Sequence, residues 1–195
     1  MERKRDFLAK RWIGLFSILL FISNIALVGC LPKPKKYLST DGRFSLEFPE
    51  NWQSLEKEMW SVPGELAMFL PRGFFNHDPV GCIAGSQRIP RDLFWDIDRI
   101  NDEMHQENFK DYQDVQIEEE KKIDLKGLEA KNTIYSVSDN GRKVKLMNCI
   151  TMDNDRIYSI ICGVPYPKFS KYKGTFEKII QSFKVESSGN GLFNY

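Results

Sequence analysis

Phe44-Ser45-Leu46-Glu47-Phe48-Pro49-Glu50-Asn51-Trp52 is the stretch that decides the fold. Apolar side chains at 44, 46 and 48 alternate with Ser45 and Glu47, the period-two pattern of a strand with one buried face. Pro49 ends that strand, because it has no N–H to give a ladder, and Trp52 comes next, where the chain turns. Outward from this motif the same logic predicts a strand over Leu66 to Leu70, stopped by Pro71, and another over Val80 to Ile89. In the latter, Gly81, Cys82, Ala84 and Gly85 leave room for a close neighbour. The period then changes. Leu93, Ile97, Ile100 and Met104 are spaced by four, three and four, which puts them on one face of a helix. Asp92, Asp96 and Asp98 load its first turns with the negative charge that the helix dipole favours.

From Val115 the chain returns to strands. A run to about Asp124 meets a turn at Lys126-Gly127, and Leu128 to Val137 leads back. Asp139-Asn140-Gly141 is a hairpin signal, since Asn and Gly tolerate the positive φ that tight turns need. Val144, Leu146, Ile150 and Met152 mark the next strand, then come a turn at Asn154-Asp155 and a strand from Ile157 to Val164. Pro165 and Pro167 stop the sheet. A last helix is predicted over Ser170 to Phe183, with Tyr172, Phe176, Ile179, Ile180 and Phe183 on its inner face.

Three strands, a helix, four strands and a helix, joined by hairpins, make an α+β protein with a largely antiparallel β-sheet covered by helices. The alternating strand leading to Pro49 and Trp52 resembles the opening motif of the PsbP-like α/β/α sandwich, and Ile179-Ile180-Gln181-Ser182-Phe183 is similar to its closing helix. The likeness in element order covers Tyr37 to Val185. The resemblance implies a protein that binds or assists assembly rather than one that catalyses; the family includes extrinsic photosystem II subunits, a Ran-binding nuclear transport factor and many bacterial lipoproteins of unknown role. It implies no catalytic set, and fold alone does not settle function.

The start of the chain bears on location. Arg3, Lys4, Arg5, Lys10 and Arg11 precede an uncharged run from Ile13 to Val28, the layout of a secretory signal peptide. Its basic head stays on the cytoplasmic side, so the chain beyond the apolar run is exported. Leu27-Val28-Gly29-Cys30 resembles the lipobox of bacterial lipoproteins, in which a small residue precedes the cysteine that takes the lipid. The resemblance implies a diacylglycerol thioether on Cys30 and, in many bacteria, a third chain such as palmitate on its new amino group. Each buried methylene contributes about 0.8 kcal/mol, and two chains anchor stably. The competing reading is an uncleaved membrane anchor, although Ile13 to Val28 falls short of the ~20 residues of a span. The organisation expected is therefore signal peptide 1–29, lipidated Cys30 and tether 30–36, folded domain 37–185 and a fraying tail 186–195.

Of 195 residues, 28 are Lys or Arg and 27 are Asp or Glu. The leader holds 5 and 2 of these, so the mature chain carries 23 positive and 25 negative groups, no footprint for nucleic acid. Export permits disulfides. Apart from Cys30, the chain has Cys82, Cys149 and Cys162, so one pair at most. Across a two-residue turn at Asn154-Asp155, Cys149 faces Ile160 and Cys162 sits one diagonal step away, ~7–8 Å, beyond the usual reach of a bridge. All three are expected to be buried free thiols.

No nucleophile motif surrounds either histidine, His77 or His105. Cys82 with His77 is weighed as a thiolate pair and read instead as a core thiol. Asp98, Asp102 and His105 share a helical face and could meet a divalent ion, but such charges usually solvate an exposed helix. Neither a metal nor a cofactor is expected. Trp95 falls nearly opposite the apolar stripe, and Phe74 and Phe75 lie in a Gly-, Asn- and Pro-marked loop; aromatics placed so often anchor partners. The sequence thus predicts a lipid-anchored, extracytoplasmic, non-enzymatic binding or assembly protein. Its expected partners are the membrane, through Cys30, and a membrane-associated protein met by Trp95, Phe74 and Phe75. The alternative is an anchored carrier or sensor of a small ligand or metal.

Overall fold

The computed structural model describes residues 33–55, 65–72, 80–89, 96–109, 112–139 and 141–186. All but Lys33 belong to one compact unit, Pro34–Tyr195. The strands are β1 (Lys35–Leu38), β2 (Phe44–Phe48), β3 (Trp52–Leu55), β4 (Glu65–Pro71), β5 (Gly81–Arg88), β6 (Gln113–Leu125), β7 (Leu128–Asp139), β8 (Arg142–Asp153), β9 (Arg156–Pro165) and β10 (Lys184–Val185). The helices are α1 (Ile97–Phe109) and α2 (Phe169–Ser182), with a 3-10 turn at Tyr166–Lys168. Strands β3-β4-β5-β9-β8-β7-β6 form one sheet and β1-β2-β10 a small second one, with every pairing antiparallel.

The opening motif follows its pattern except at Ser45, which is buried where β10 pairs with β2 and Glu186 accepts from its hydroxyl. Phe44, Leu46 and Phe48 are buried and Glu47 is exposed. The Trp52 N–H donates to the Pro49 carbonyl at 2.9 Å, closing the turn that drops Trp52 into the core. The hairpins form where Gly and Asn permit them. Lys126 and Gly127 take φ of 56° and 93°, Asn154 takes 53° and Gly141 takes 76°, the left-handed region that two-residue hairpin loops demand. Asp96 caps α1 by accepting from the Arg99 N–H at 2.7 Å, so the helix begins at Ile97.

Alternation sorts the large sheet into two covered faces. One carries Ala67, Phe69, Cys82, Ala84, Ile160, Cys162, Val164, Met147 and Ile134 against Phe44, Leu46 and Phe48 of β2 and Phe176, Ile179, Ile180 and Phe183 at α2. The other takes α1, with Ile97 and Ile100 packed on Ile150 and Phe109 on Tyr135 and Val137. The layers are α1, the large sheet, then α2 beside the small sheet.

The structure adds three short strands, β1, β3 and β10, to the expected order. Two to four residues are too few for periodicity to show. Lys35 and Lys36, expected from the sequence to be tether, are already paired in β1, opposite Phe48 and Glu47.

The thiol expectation is overturned. Cys82 and Cys162 are disulfide-bonded, with Cα atoms 4.0 Å apart, and only Cys149 is free among the described cysteines. The β8–β9 hairpin has the expected register, with Cys149 facing Ile160. The partner comes from elsewhere. β5 lies beside β9, and in that register Cys82 stands directly opposite Cys162, within the reach of a bridge.

Candidate functional site

Two polar sites stand out. The first is an open cleft of about 510 Å³ at the β8–β9 turn, between β10 and the tip of the β6–β7 hairpin. Leu125, Leu128, Tyr158 and Val185 supply its apolar lining, and Arg43, Lys126, Arg156 and Lys184 bring cations. Those cations are already engaged. Arg43 meets Asp41 at 3.3 Å and Arg156 meets the same carboxylate at 3.9 Å, while Arg156 Nη1 donates to Ser86 Oγ at 3.2 Å. Lys126 donates to the Ser182 carbonyl at 2.6 Å. Glu186 accepts from Lys184 at 2.7 Å and from the Ser45 hydroxyl at 2.6 Å, which holds its carboxyl down at about 2. Burial pushes the Tyr158 hydroxyl up. The cleft therefore presents both signs of charge, largely neutralised within itself, and no nucleophile beside a base.

The second site is a polar seam between α1 and the sheet. Asn101 and His105 lie next to Ile100 and Met104 on the helix, so the inward face carries polar side chains too. Asn101, 2% exposed, donates to Glu120 Oε2 at 3.3 Å. Lys131 reaches Glu120 at 2.9 Å and Asp98 at 3.1 Å. Burial works against the Lys131 cation, but the bonds to Glu120 and Asp98 outweigh it and raise its pKa. Asp98, held by Lys131 and Lys122, titrates below the ordinary carboxylate range. The His105 ring stacks on Tyr135 with centroids 5.1 Å apart. Burial raises the Tyr135 pKa, against the opposing influence of Thr133 and Asn148. The Tyr135 hydroxyl, Asn101 Oδ1, His105 Nδ1 and Asn148 Nδ2 are buried without a protein hydrogen-bond partner, at about 1–3 kcal/mol for each such atom left dry.

Cys30, Trp95, Phe74, Phe75 and His77 lie outside the described residues. Asp98, Asp102 and His105 do not assemble as a site. Asp98 is taken by lysines and His105 is packed between Phe109 and Tyr135. Among the described residues no group of three His, Cys, Asp or Glu is gathered to hold a metal. The expectation that these three share an outward face fails at His105, because the stripe on α1 is wide enough to turn 101 and 105 toward the sheet. Neither site is visible in the sequence expectations. The signal for the seam is Asn101 and His105 beside apolar stripe positions, facing a strand that carries Lys131, Thr133 and Tyr135 at alternate places.

No curated protein matches the chain by sequence. The PsbP family model matches residues 98–185, from the first turn of α1 to β10. Among solved structures, cyanobacterial PsbP (CyanoP) from Synechocystis sp. PCC 6803 superposes with a TM-score of 0.59 at 13% identity, covering 81% of this chain and 95% of that one. LpqN, involved in cell envelope biogenesis of Mycobacterium tuberculosis, gives 0.53 at 14% identity over 80% and 86%. The Saccharomyces cerevisiae Ran-binding protein Mog1p gives 0.53 at 10% over 78% and 95%. At these identities the likeness is one of architecture, and with the family match it leads to one conclusion: this chain carries a PsbP-like fold.

Proposed function

We propose that this chain is a lipid-anchored, extracytoplasmic, non-enzymatic binding protein that docks on, or assists assembly of, a membrane complex. The observation that carries the reading is the buried Cys82–Cys162 disulfide. Structural disulfides persist in oxidising compartments and are rare in the cytosol. An export signal ending in Leu27-Val28-Gly29-Cys30 delivers a chain to such a compartment, so two independent features agree. Burial pushes the Cys149 thiol up to about 12, which leaves no thiolate nucleophile near neutral pH. Lys131 is held as a paired cation, and His105 stacks on the Tyr135 ring. These features favour binding over catalysis. The same architecture serves a Ran-binding protein and a cell-envelope protein, roles compatible with recognition of a partner.

Acylation is tested with labelled fatty acid in a bacterial host. The wild type should take up label and the Cys30→Ser variant should remain an unlabelled precursor; equal labelling of both overturns the anchor. In this reading Trp95, Phe74 and Phe75 make the partner contact. Trp95→Ala should weaken co-purification with membrane proteins while changing stability within about ±0.5 kcal/mol, the range of surface substitutions. The alternative, a small-ligand carrier, draws on the cleft lined by Arg43, Arg156 and Tyr158. It predicts a retained small molecule in native mass spectra of the purified chain.

A further inference from the structure

The two ends of the large sheet differ in charge. At the end with the β8–β9 turn, cations alternate with Asp41, Asp153, Asp155 and Glu186. At the other end, where β8 begins and β9 finishes, Arg142, Lys143, Lys168 and Lys171 are exposed around Tyr166, which is itself 40% exposed. Lys143 and Lys145 hold their ammonium groups 5.2 and 5.0 Å from the Tyr166 ring centroid, so the ring stands among cations. Two of the carboxylates described near this end have partners of their own. Glu118 pairs with Lys145, and Asp114 accepts from the Ser138 hydroxyl at 3.2 Å. Among the described residues, no carboxylate pairs with Arg142, Lys143 or Lys171.

The topology brings the N-terminal tether toward the same end. Arg156 meets Asp41 and Asp41 meets Arg43, so β2 starts at the β8–β9 turn and leads away from it. Phe48, where β2 finishes, packs on Phe69 at 5.0 Å; Phe69 pairs with Cys82, and Cys82 with Cys162 near the end of β9. Antiparallel β1 starts where β2 finishes, with Lys35 opposite Phe48. Four residues, two of them prolines, lie between Cys30 and Lys35, and the five steps from one to the other span about 16 Å when extended at ~3.1 Å per residue. Lys33 and Lys35 lie on that path.

We propose that the basic, Tyr166-bearing end of the domain seats on the anionic lipid headgroups of the membrane that holds Cys30. The proposal rests on the lipid-anchor reading for its orientation. A tether of that length confines the domain to within about two Debye lengths, of about 8–10 Å each, of the bilayer, so headgroup attraction acts whenever the basic end swings toward it. Tyrosine suits the site, because its ring is apolar and its hydroxyl polar, as at other membrane–water interfaces. Seated this way, the domain turns the mixed-charge cleft away from the bilayer, toward whatever the protein meets there.

The test uses the domain from Pro34 onward, within which every described strand pairing, ion pair and disulfide is contained, and sedimentation with vesicles. Vesicles of phosphatidylglycerol and phosphatidylcholine in equal parts should bind it, pure phosphatidylcholine should not, and added salt should release it. The pair Lys143→Ala and Lys171→Ala should weaken binding roughly 30-fold, about five-fold for each lysine near an anionic surface. The pair Lys126→Ala and Lys184→Ala, at the opposite end and equal in charge removed, should leave it unchanged. A single cooperative urea transition in each variant certifies that both are folded. Equal loss in the two pairs, equal binding to neutral vesicles, or binding to soluble polyanions but not to vesicles overturns the proposal. Because this domain lacks Cys30, the result does not depend on acylation. Failure of the fatty-acid labelling overturns the anchor, and failure of the vesicle assay overturns the seating surface.

Discussion

Replacing Cys82 and Cys162 together by Ala tests the tie that the topology places between β5 and β9. The two cysteines are separated by 80 residues in sequence, so the bond restrains a long loop in the unfolded chain. The loop-closure relation gives about 4.5 kcal/mol for a loop of that length. Both side chains are essentially inaccessible, and deleting their sulfurs removes packing as well, so the whole loss should not fall below that of an ordinary core truncation. For a domain of this size each kcal/mol moves the thermal midpoint by about 2–4 °C, so the variant should melt roughly 9–18 °C lower. Equilibrium urea unfolding of the Pro34-onward domain, with and without reductant, reads the effect. Reduced wild type should fall toward the double variant, which itself should ignore reductant. The thiol count gives an independent check: denatured, unreduced domain should react with one equivalent, from Cys149, and reduced domain with three. A stability loss under about 1 kcal/mol, or three reactive thiols without reductant, would refute the pairing and with it the oxidising-compartment argument.

Three further expectations concern particular residues. A Cβ on Gly81 would collide with Leu70 Cδ2 and lie 3.0 Å from the Phe69 carbonyl oxygen, whereas one on Gly174 meets nothing within 4 Å. Gly81→Ala should therefore cost about 1–3 kcal/mol by overpacking, and Gly174→Ala, inside α2, should stabilise by up to about 1 kcal/mol; the same sign for both in urea melts would contradict this. Phe183→Ala removes a ring that packs on Phe44 and Tyr158 at 5.7 and 5.6 Å and should cost about 3–5 kcal/mol, and a near-silent variant would mean that α2 does not close the core. Glu186 has its carboxyl lowered from 4.5 to about 2, and Asp98 and Glu119 are lowered in the same direction. Their contribution is present above the ordinary carboxylate range and lost as pH falls through the folded values. Stability should decline below about pH 4.5, the unfolded value of Glu186, and Glu186→Gln should flatten part of that decline; identical pH profiles for variant and wild type would remove Glu186 from the account.

Local periodicity carried much of the architecture. The alternation Phe44, Leu46, Phe48, the stripe Ile97, Ile100, Met104, and the inner face Phe176, Ile179, Ile180, Phe183 were legible because each depends on neighbours within a few residues. The same holds for the turns at Gly127, Gly141 and Asn154, where the backbone itself requires residues that accept positive φ. The proposed export signal, ending at Cys30, is likewise read from contiguous residues alone. Everything made by residues distant in the chain escaped. No spacing rule announces that β5 lies beside β9, so the Cys82–Cys162 bond stayed hidden even though the register between Cys149 and Ile160 did not. Asn101 and His105 look solvent-facing until β6 and β7 bring Glu120, Lys131 and Tyr135 beneath them. The cleft exists only where β2 and β10 meet two hairpin tips, and the basic end only where the start of β8 meets the turn after β9. Secondary structure arises from short-range sterics and side-chain period, which the sequence by itself displays. Sites and cross-links depend on strand order, decided by which faces bury together once the whole chain has folded.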